Sequence, residues 1–152
     1  MRKEMKNMIA IGSDHGGFEL KNEIKKHLEA RGFEVKDYGT YSKESVDYPD
    51  IAKAVCEPVV AGEAEFGVLV CGTGIGISIA ANKVKGIRAA HLSDPYSAAK
   101  AKEHNNANVI TLGGRVTGVD LALTIVDAYI DAHFEGGRHQ KRIDKITALE
   151  QE

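Results

Sequence analysis

The sequence predicts an α/β fold built on one parallel sheet wound in both directions, and three observations carry that expectation. Apolar runs of strand length alternate with segments of helical period, the third and fifth of those runs are almost continuously apolar, and polar or glycine-rich turns follow the first, third and fifth. Strands separated by helices are joined by crossovers and so lie parallel, and a strand that is apolar throughout is one covered by helices on both faces.

Met8 to Ile11 reads as the first strand. Leu20, Ile24 and Leu28 then recur at four-residue steps, and Gly32 stands where a helix C-cap belongs, which completes the first β-α unit. Phe33 to Val35 opens a second strand. A longer loop from Asp37 to Asp47 leads into a helix with Pro49 at a first-turn position, and Pro58 is expected to kink or shorten that helix. Phe66 to Cys71, Ile87 to Leu92 and Asn108 to Leu112 supply the third, fourth and fifth strands, each followed by a helical segment. The last segment, after Gly136 and Gly137, carries Arg138, Arg142 and Lys145 on one side and Ile143, Ile146 and Leu149 on another, a pattern that suits packing on a partner subunit. The sum is a doubly wound, Rossmann-like, five-stranded parallel sheet with helices on both faces and a C-terminal helix docked on a partner. At 152 residues with 43% hydrophobic content, a single domain over 1–152 accounts for the chain, with 1–7 as a short flexible tail.

Composition narrows the function classes. Twenty basic residues against twenty-two acidic ones leave a net charge of −2, which provides no long-range field for a nucleic acid or an anionic membrane. Any anion recognised must therefore be small and met locally. The longest apolar stretches fall far short of the roughly 20 residues that cross a bilayer, and the charged start lacks the apolar region of a secretory signal. Two cysteines, Cys56 and Cys71, in unlike contexts make a weak case for a bridge, so a reduced, cytoplasmic chain is expected. His27, His91, His133 and His139 show no metal-ligand spacing with one another or with the cysteines, and no metal is expected.

In doubly wound sheets, ligands bind beyond the carboxyl ends of the strands, near the point where strand order reverses. The turns Gly12 to Gly17, Cys71 to Gly76 and Gly113 to Arg115 all fall at that edge. Cys71 ends a strand and enters a turn with glycines at 72, 74 and 76, where freed backbone N–H groups can hold negative charge and lower the pKa of a thiol. Taken alone, Cys71 could equally be a small buried hydrophobe. Cys56 sits mid-helix without glycines and reads as structural. The glycine spacing is not the dinucleotide fingerprint, and Gly12 to Gly17 lacks the Gly-Lys-Ser/Thr ending of a nucleoside triphosphate loop. Asp14 and His15 could bind sugar hydroxyls or phosphate, or Asp14 could simply cap the following helix. His104, Asn105 and Asn106 end a helix, where a histidine is a common cap. Arg138 and Arg142, one helical turn apart, could grip a phosphate or form a solvated face.

Taken together, the motifs Gly12-Ser-Asp-His-Gly-Gly-Phe-Glu-Leu-Lys21, Asp47-Tyr-Pro49, Cys71-Gly-Thr-Gly-Ile-Gly76 with Ala80-Ala-Asn-Lys83, His104-Asn105 and Gly136-Gly-Arg-His-Gln-Lys-Arg142 resemble the RpiB/LacAB family of sugar-phosphate isomerases, over residues 8 to about 150. The resemblance implies an aldose-ketose isomerase that interconverts D-ribose 5-phosphate and D-ribulose 5-phosphate without a cofactor. It implies that Cys71 is the base and that the backbone of Gly72, Gly74, Ile75 and Gly76 holds the enediolate together with the Thr73 hydroxyl. His104 would open the furanose ring, while Asp14, His15, Tyr48 and Asn105 would contact the sugar. Arg138 and Arg142 would hold the phosphate, with Arg115 and His15. Some relatives carry a glutamate base at the position of Ile77, and this chain offers no carboxylate there, which leaves Cys71 alone. Ser13 differs from the small residue of some relatives without consequence. The family shares its site across a dimer, so at least a homodimer is expected, with a dimer of dimers as a further option. Allose 6-phosphate or galactose 6-phosphate as substrate, or a non-catalytic flavodoxin-like module binding a phosphorylated ligand, are the competing readings.

Overall fold

The computed structural model describes residues 8–151, so the expected tail over 1–7 lies outside the described residues. Strands β1 (Met8–Ser13), β2 (Glu34–Asp37), β3 (Phe66–Cys71), β4 (Ala89–His91) and β5 (Val109–Gly113) pair in parallel in the order β2-β1-β3-β5-β4. Between and after them run α1 (Phe18–Ala30), α2 (Tyr48–Val60), α3 (Ile75–Ala81), α4 (Pro95–Glu103), α5 (Val119–Asp131) and α6 (Arg138–Leu149). No helix among the described residues is long and apolar enough to cross a membrane.

The period of two along each strand sorts the core into two layers. Ile9, Ile11, Val68, Val70, Ile110 and Leu112 pack on Leu20, Ile24 and Leu28 of α1 and on Ile125 and Tyr129 of α5. Ala10, Leu69, Cys71 and Val109 face Ala52, Val55 and Cys56 of α2 and Ile77 and Ala81 of α3. Every residue of β3 and β5 is buried, as their unbroken apolar character predicts, and the two lie side by side in the middle of the sheet. β2 alternates exposed and half-buried positions as an edge strand does. The fourth strand is shorter than its apolar run: Ile87 and Leu92 are buried, but only Ala89–His91 join the ladder, at the other edge.

From β1 the chain steps to β2 on one side and returns to β3 on the other, so the order reverses between β1 and β3. The crevice expected of such a switch point opens above those two strands. The order also departs from the flavodoxin-like 2-1-3-4-5, because β5 is inserted between β3 and β4.

One buried charge fixes the geometry around β1. Lys21, on α1, is fully buried, and its ammonium meets both carboxylate oxygens of Asp37 at 3.1 and 2.9 Å as well as the Thr40 carbonyl. It lies 5.2 Å from the Phe18 ring centroid and 5.5 Å from that of Tyr41. The loop it holds continues the β1 ladder past the end of β2: the Tyr38 N–H donates to the Ile11 carbonyl at 2.8 Å, and Ser13 and Gly39–Thr40 exchange two bonds of 2.6 Å. Pro58 does not break α2, which runs two residues further to Val60, and the freed Pro58 carbonyl accepts from Glu63 and Ala64.

A buried cation deprived of its partner costs about 3–5 kcal/mol. Asp37→Ala should therefore lower the unfolding free energy obtained from urea titration by an amount in that range, and Lys21→Met, which removes the buried charge itself, should cost distinctly less. Equal midpoints for wild type and Asp37→Ala would show that the pair contributes nothing.

Candidate active site

Cys71 is the last residue of β3 and only 5% exposed, and its sulfur accepts the Gly74 N–H at 3.1 Å. The thiol is aimed into the glycine turn. Gly74 takes φ of +83°, and a Cβ there would sit 2.7 Å from the Leu112 carbonyl carbon and 2.8 Å from the His91 ring, so only glycine can present its N–H to the sulfur. The turn is clamped from the β5 side. Gly114 N–H donates to the Cys71 carbonyl at 2.8 Å, Arg115 N–H to the Gly72 carbonyl at 2.9 Å, and the Thr111 hydroxyl to the Gly74 carbonyl at 2.9 Å. Thr73 is exposed at the tip, its Oγ1 accepting from Ile75 N–H at 3.2 Å.

Cys56 is the contrast. It is fully buried among apolar side chains, and loss of solvation alone pushes its thiol up to about 12. Both cysteines are free thiols.

Around the Cys71 turn the structure gathers Asp14, His15, Tyr48 and Arg115. Asp14 does act as a cap, with Oδ1 accepting from Gly16 N–H at 2.9 Å and Gly17 N–H at 3.2 Å. The cap engages Oδ1 alone. His15 Nδ1 accepts the Val46 N–H at 3.3 Å, which leaves Nε2 to carry the proton and donate. The Tyr48 ring overlies Gly76 so closely that a Cβ on that glycine would stand 2.8 Å from the phenol oxygen. Arg115 is exposed and reaches back over the two neighbouring turns: Cβ atoms built on Gly72 and Gly16 would lie 3.3 and 3.4 Å from its guanidinium. A cavity of about 230 Å³ beside it is lined by His15, Gly16, Glu19, Lys43 and Arg115. Lys43, which pairs with Glu19, carries no motif that would single it out in the sequence.

The remaining predicted residues are elsewhere. Helix α4 starts beyond the carboxyl end of β4 and runs back along the sheet, so His104, its C-cap, lies at the opposite edge. Arg88, just before β4, marks that edge and donates to the Asn106 carbonyl at 3.1 and 2.9 Å. Asn105 lines a groove of about 500 Å³ there with Arg88, Ala89, Ile146 and Leu149. Helix α5 likewise returns the chain to this edge, where Arg138 and Arg142 stand exposed on α6 with no ion pair among the described residues. His139, buried between them in sequence, stacks on His104. The predicted residues thus fall into two groups at opposite edges of the sheet.

A thiol, an imidazole and a guanidinium around bare backbone donors, at the switch point of a doubly wound sheet, define an α/β enzyme for a small anionic molecule. Comparison with known proteins narrows the class. Residues 9–146 match the Ribose/Galactose Isomerase family, and the chain belongs to it. It is 56% identical over 143 residues to ribose-5-phosphate isomerase B of Escherichia coli, covering 94% of this chain and 96% of that one. The structure of Clostridium thermocellum ribose-5-phosphate isomerase B superposes with a TM-score of 0.94 at 56% identity, covering 95% of this chain and 97% of that one. Ribose-5-phosphate isomerase B from Mycoplasma genitalium, solved with bound ribulose-5-phosphate, matches with a TM-score of 0.91 at 45% identity, over 95% and 97% of the two chains.

The two thiols should separate under iodoacetamide. Native protein should be carboxamidomethylated at Cys71, and Cys56 should react only after unfolding, as read by mass spectrometry of peptides. Native labelling of Cys56 ahead of Cys71 would contradict the environments described.

Proposed function

We propose that this chain interconverts D-ribose 5-phosphate and D-ribulose 5-phosphate, with Cys71 moving a proton between C2 and C1 through an enediolate. The observation that carries the reading is the Cys71 sulfur held 3.1 Å from the Gly74 N–H inside a glycine-rich turn that opens a helix. A proton α to a carbonyl is weakly acidic, so a base needs oxyanion stabilisation at the same place. As thiolate, Cys71 takes the C2 proton of the open-chain aldose. Charge develops on O1, which N–H groups from Gly72 to Gly76 and the Thr73 hydroxyl stabilise; the O2 hydroxyl proton passes to O1, and the thiol returns its proton to C1 as the C2 carbonyl forms. The oxidation of C2 balances the reduction of C1 within the sugar, so the step requires no external redox partner. The names and bound ketose of the similar proteins support this substrate pair.

Asp14, His15, Tyr48 and Asn105 contact the sugar in this reading, and His104 opens the furanose ring. Arg115, Arg138 and Arg142 bind the phosphate, with His15. Because His104, Asn105, Arg138 and Arg142 lie at the edge away from Cys71, a second copy must deliver them. We therefore propose a homodimer with shared sites. Apolar side chains available for that contact include Ile146 at 46% and Leu149 at 64% exposure on α6, and Ile75 at 53% and Ile79 at 59% on α3. A base that works only as a free thiol fits the reducing cytoplasm.

Cys71→Ala should lower kcat by about 10²–10⁴ with the fold intact. Arg142→Ala should chiefly raise KM, since the phosphate does not react. Undiminished kcat in Cys71→Ala would rule out this base. Allose 6-phosphate or galactose 6-phosphate turned over with higher kcat/KM than ribose 5-phosphate would reassign the substrate.

The split site has its own test. Cys71→Ala and His104→Ala proteins, each inactive, should regain about a quarter of wild-type activity when unfolded together and refolded in equal amounts, because half of the dimers are mixed and each mixed dimer restores one site of two. No recovery would place both residues in one subunit's site or deny the dimer.

A further inference from the structure

At the end of α4 the His104 ring lies flat on the His139 ring, with centroids 4.2 Å apart and planes 10° from parallel. His139 is 6% exposed, and among the described residues its Nε2 has no hydrogen-bond partner. That nitrogen is 3.5 Å from Glu135 Oε1, and the same oxygen is 3.8 Å from His104 Nε2. The loop bearing Glu135 is pinned next to His104, because the Glu135 N–H donates to the Glu103 carbonyl at 2.9 Å.

Two imidazoles and a carboxylate with ligand atoms within 4.8 Å of one another raise the question of a divalent cation. The ring geometry answers it. A zinc ion lies about 2.0–2.1 Å from an imidazole nitrogen, along the lone pair in the ring plane, and the lone pairs of stacked rings run side by side instead of converging. A buried imidazole nitrogen without a partner is itself costly to the fold. The face of that ring, however, is fully used.

We propose that His139 is a positioning residue for His104: a flat, buried platform that fixes the plane of the imidazole assigned to ring opening. The proposal rests on the isomerase reading above. Burial pushes the His139 pKa down, with the charges of His104 and Arg138 adding to the effect and that of Glu135 opposing it, which favours the neutral form of the platform. The π-face of a neutral ring also favours a cation above it.

Ring opening can be isolated by choice of substrate. Ribose 5-phosphate closes to a furanose, whereas ribulose 5-phosphate has its C5 oxygen blocked by phosphate and stays open. His139→Ala should lower kcat for ribose 5-phosphate about tenfold or more, with KM unchanged, while solvent deuterium exchange into C1 of ribulose 5-phosphate stays within about twofold of wild type. His139→Phe, which keeps a flat ring in place, should hold kcat for ribose 5-phosphate within about threefold of wild type. Equal losses in both assays, no loss with His139→Ala, or a tenfold loss with His139→Phe would each overturn the proposal. Wild-type protein that neither isomerises ribose 5-phosphate nor exchanges deuterium into ribulose 5-phosphate would remove the isomerase reading itself, and the platform with it.

Discussion

At the carboxyl edge of the sheet, three turns touch backbone to backbone, and the candidate site exists because nothing stands between them. A Cβ on Gly17 would lie 2.5 Å from the Val70 carbonyl oxygen, and one on Gly113 would lie 2.5 Å from that of Thr73. The turn after β1 therefore packs directly against β3, and the turn after β5 directly against the Cys71 loop. With the loop clamped on both sides, Gly74 is held in its left-handed conformation and its N–H stays on the sulfur. A looser turn would swing those donors away or let water take their place, and donors that must reorganise during reaction stabilise charge far less than fixed ones. Close packing here acts as chemistry.

The two cysteines show how strongly position governs a side chain. Both are buried free thiols on the same face of the sheet. Cys56 sees only hydrocarbon, and its thiolate is suppressed. Cys71 ends a strand, and its sulfur accepts the Gly74 N–H of the turn, a partner that Cys56 lacks. The same asymmetry appears among the cations. Lys21 is committed inside to Asp37 and the Thr40 carbonyl and holds the loop that carries His15's partner, Val46, while Arg115, Arg138 and Arg142 remain outside with no ion pair among the described residues.

What could be read from the sequence was what local periodicity encodes. The bounds of β3 and its central place follow from an unbroken apolar run, and the Cys71 turn from its glycines. Helix α2 begins where Pro49 allows a first turn. The insertion of β5 beside β3 could not be read, because strand order is a non-local choice. Lys21 was equally hidden: a lysine at a helical position looks solvated until Asp37 is folded over it. His139 sits beside Arg138 in a basic run with the aspect of a surface face, and its burial against His104 depends on α4 and the Glu135 loop meeting at the far edge. Each missed feature joins segments distant in the chain.

The same topology that builds the thiol turn carries the other predicted site residues away from it. In a parallel sheet every helix carries the chain back from the carboxyl edge to the amino edge, and α4, with nine residues at about 1.5 Å each, spans the depth of the short sheet. A histidine capping such a helix cannot reach a thiol at the carboxyl edge of its own subunit. Residues on α6 inherit the same displacement, because α5 makes the same return journey. A closed pair of chains related by a two-fold axis resolves this with a single kind of contact, since the amino edge of each copy then meets the carboxyl edge of the other. In the proposed dimer, the clamped Cys71 turn and the His104–His139 stack are two rigid bodies whose relative placement depends on the interface alone. On that proposal, folding of one chain fixes each group of residues, and only association fixes the distance between them.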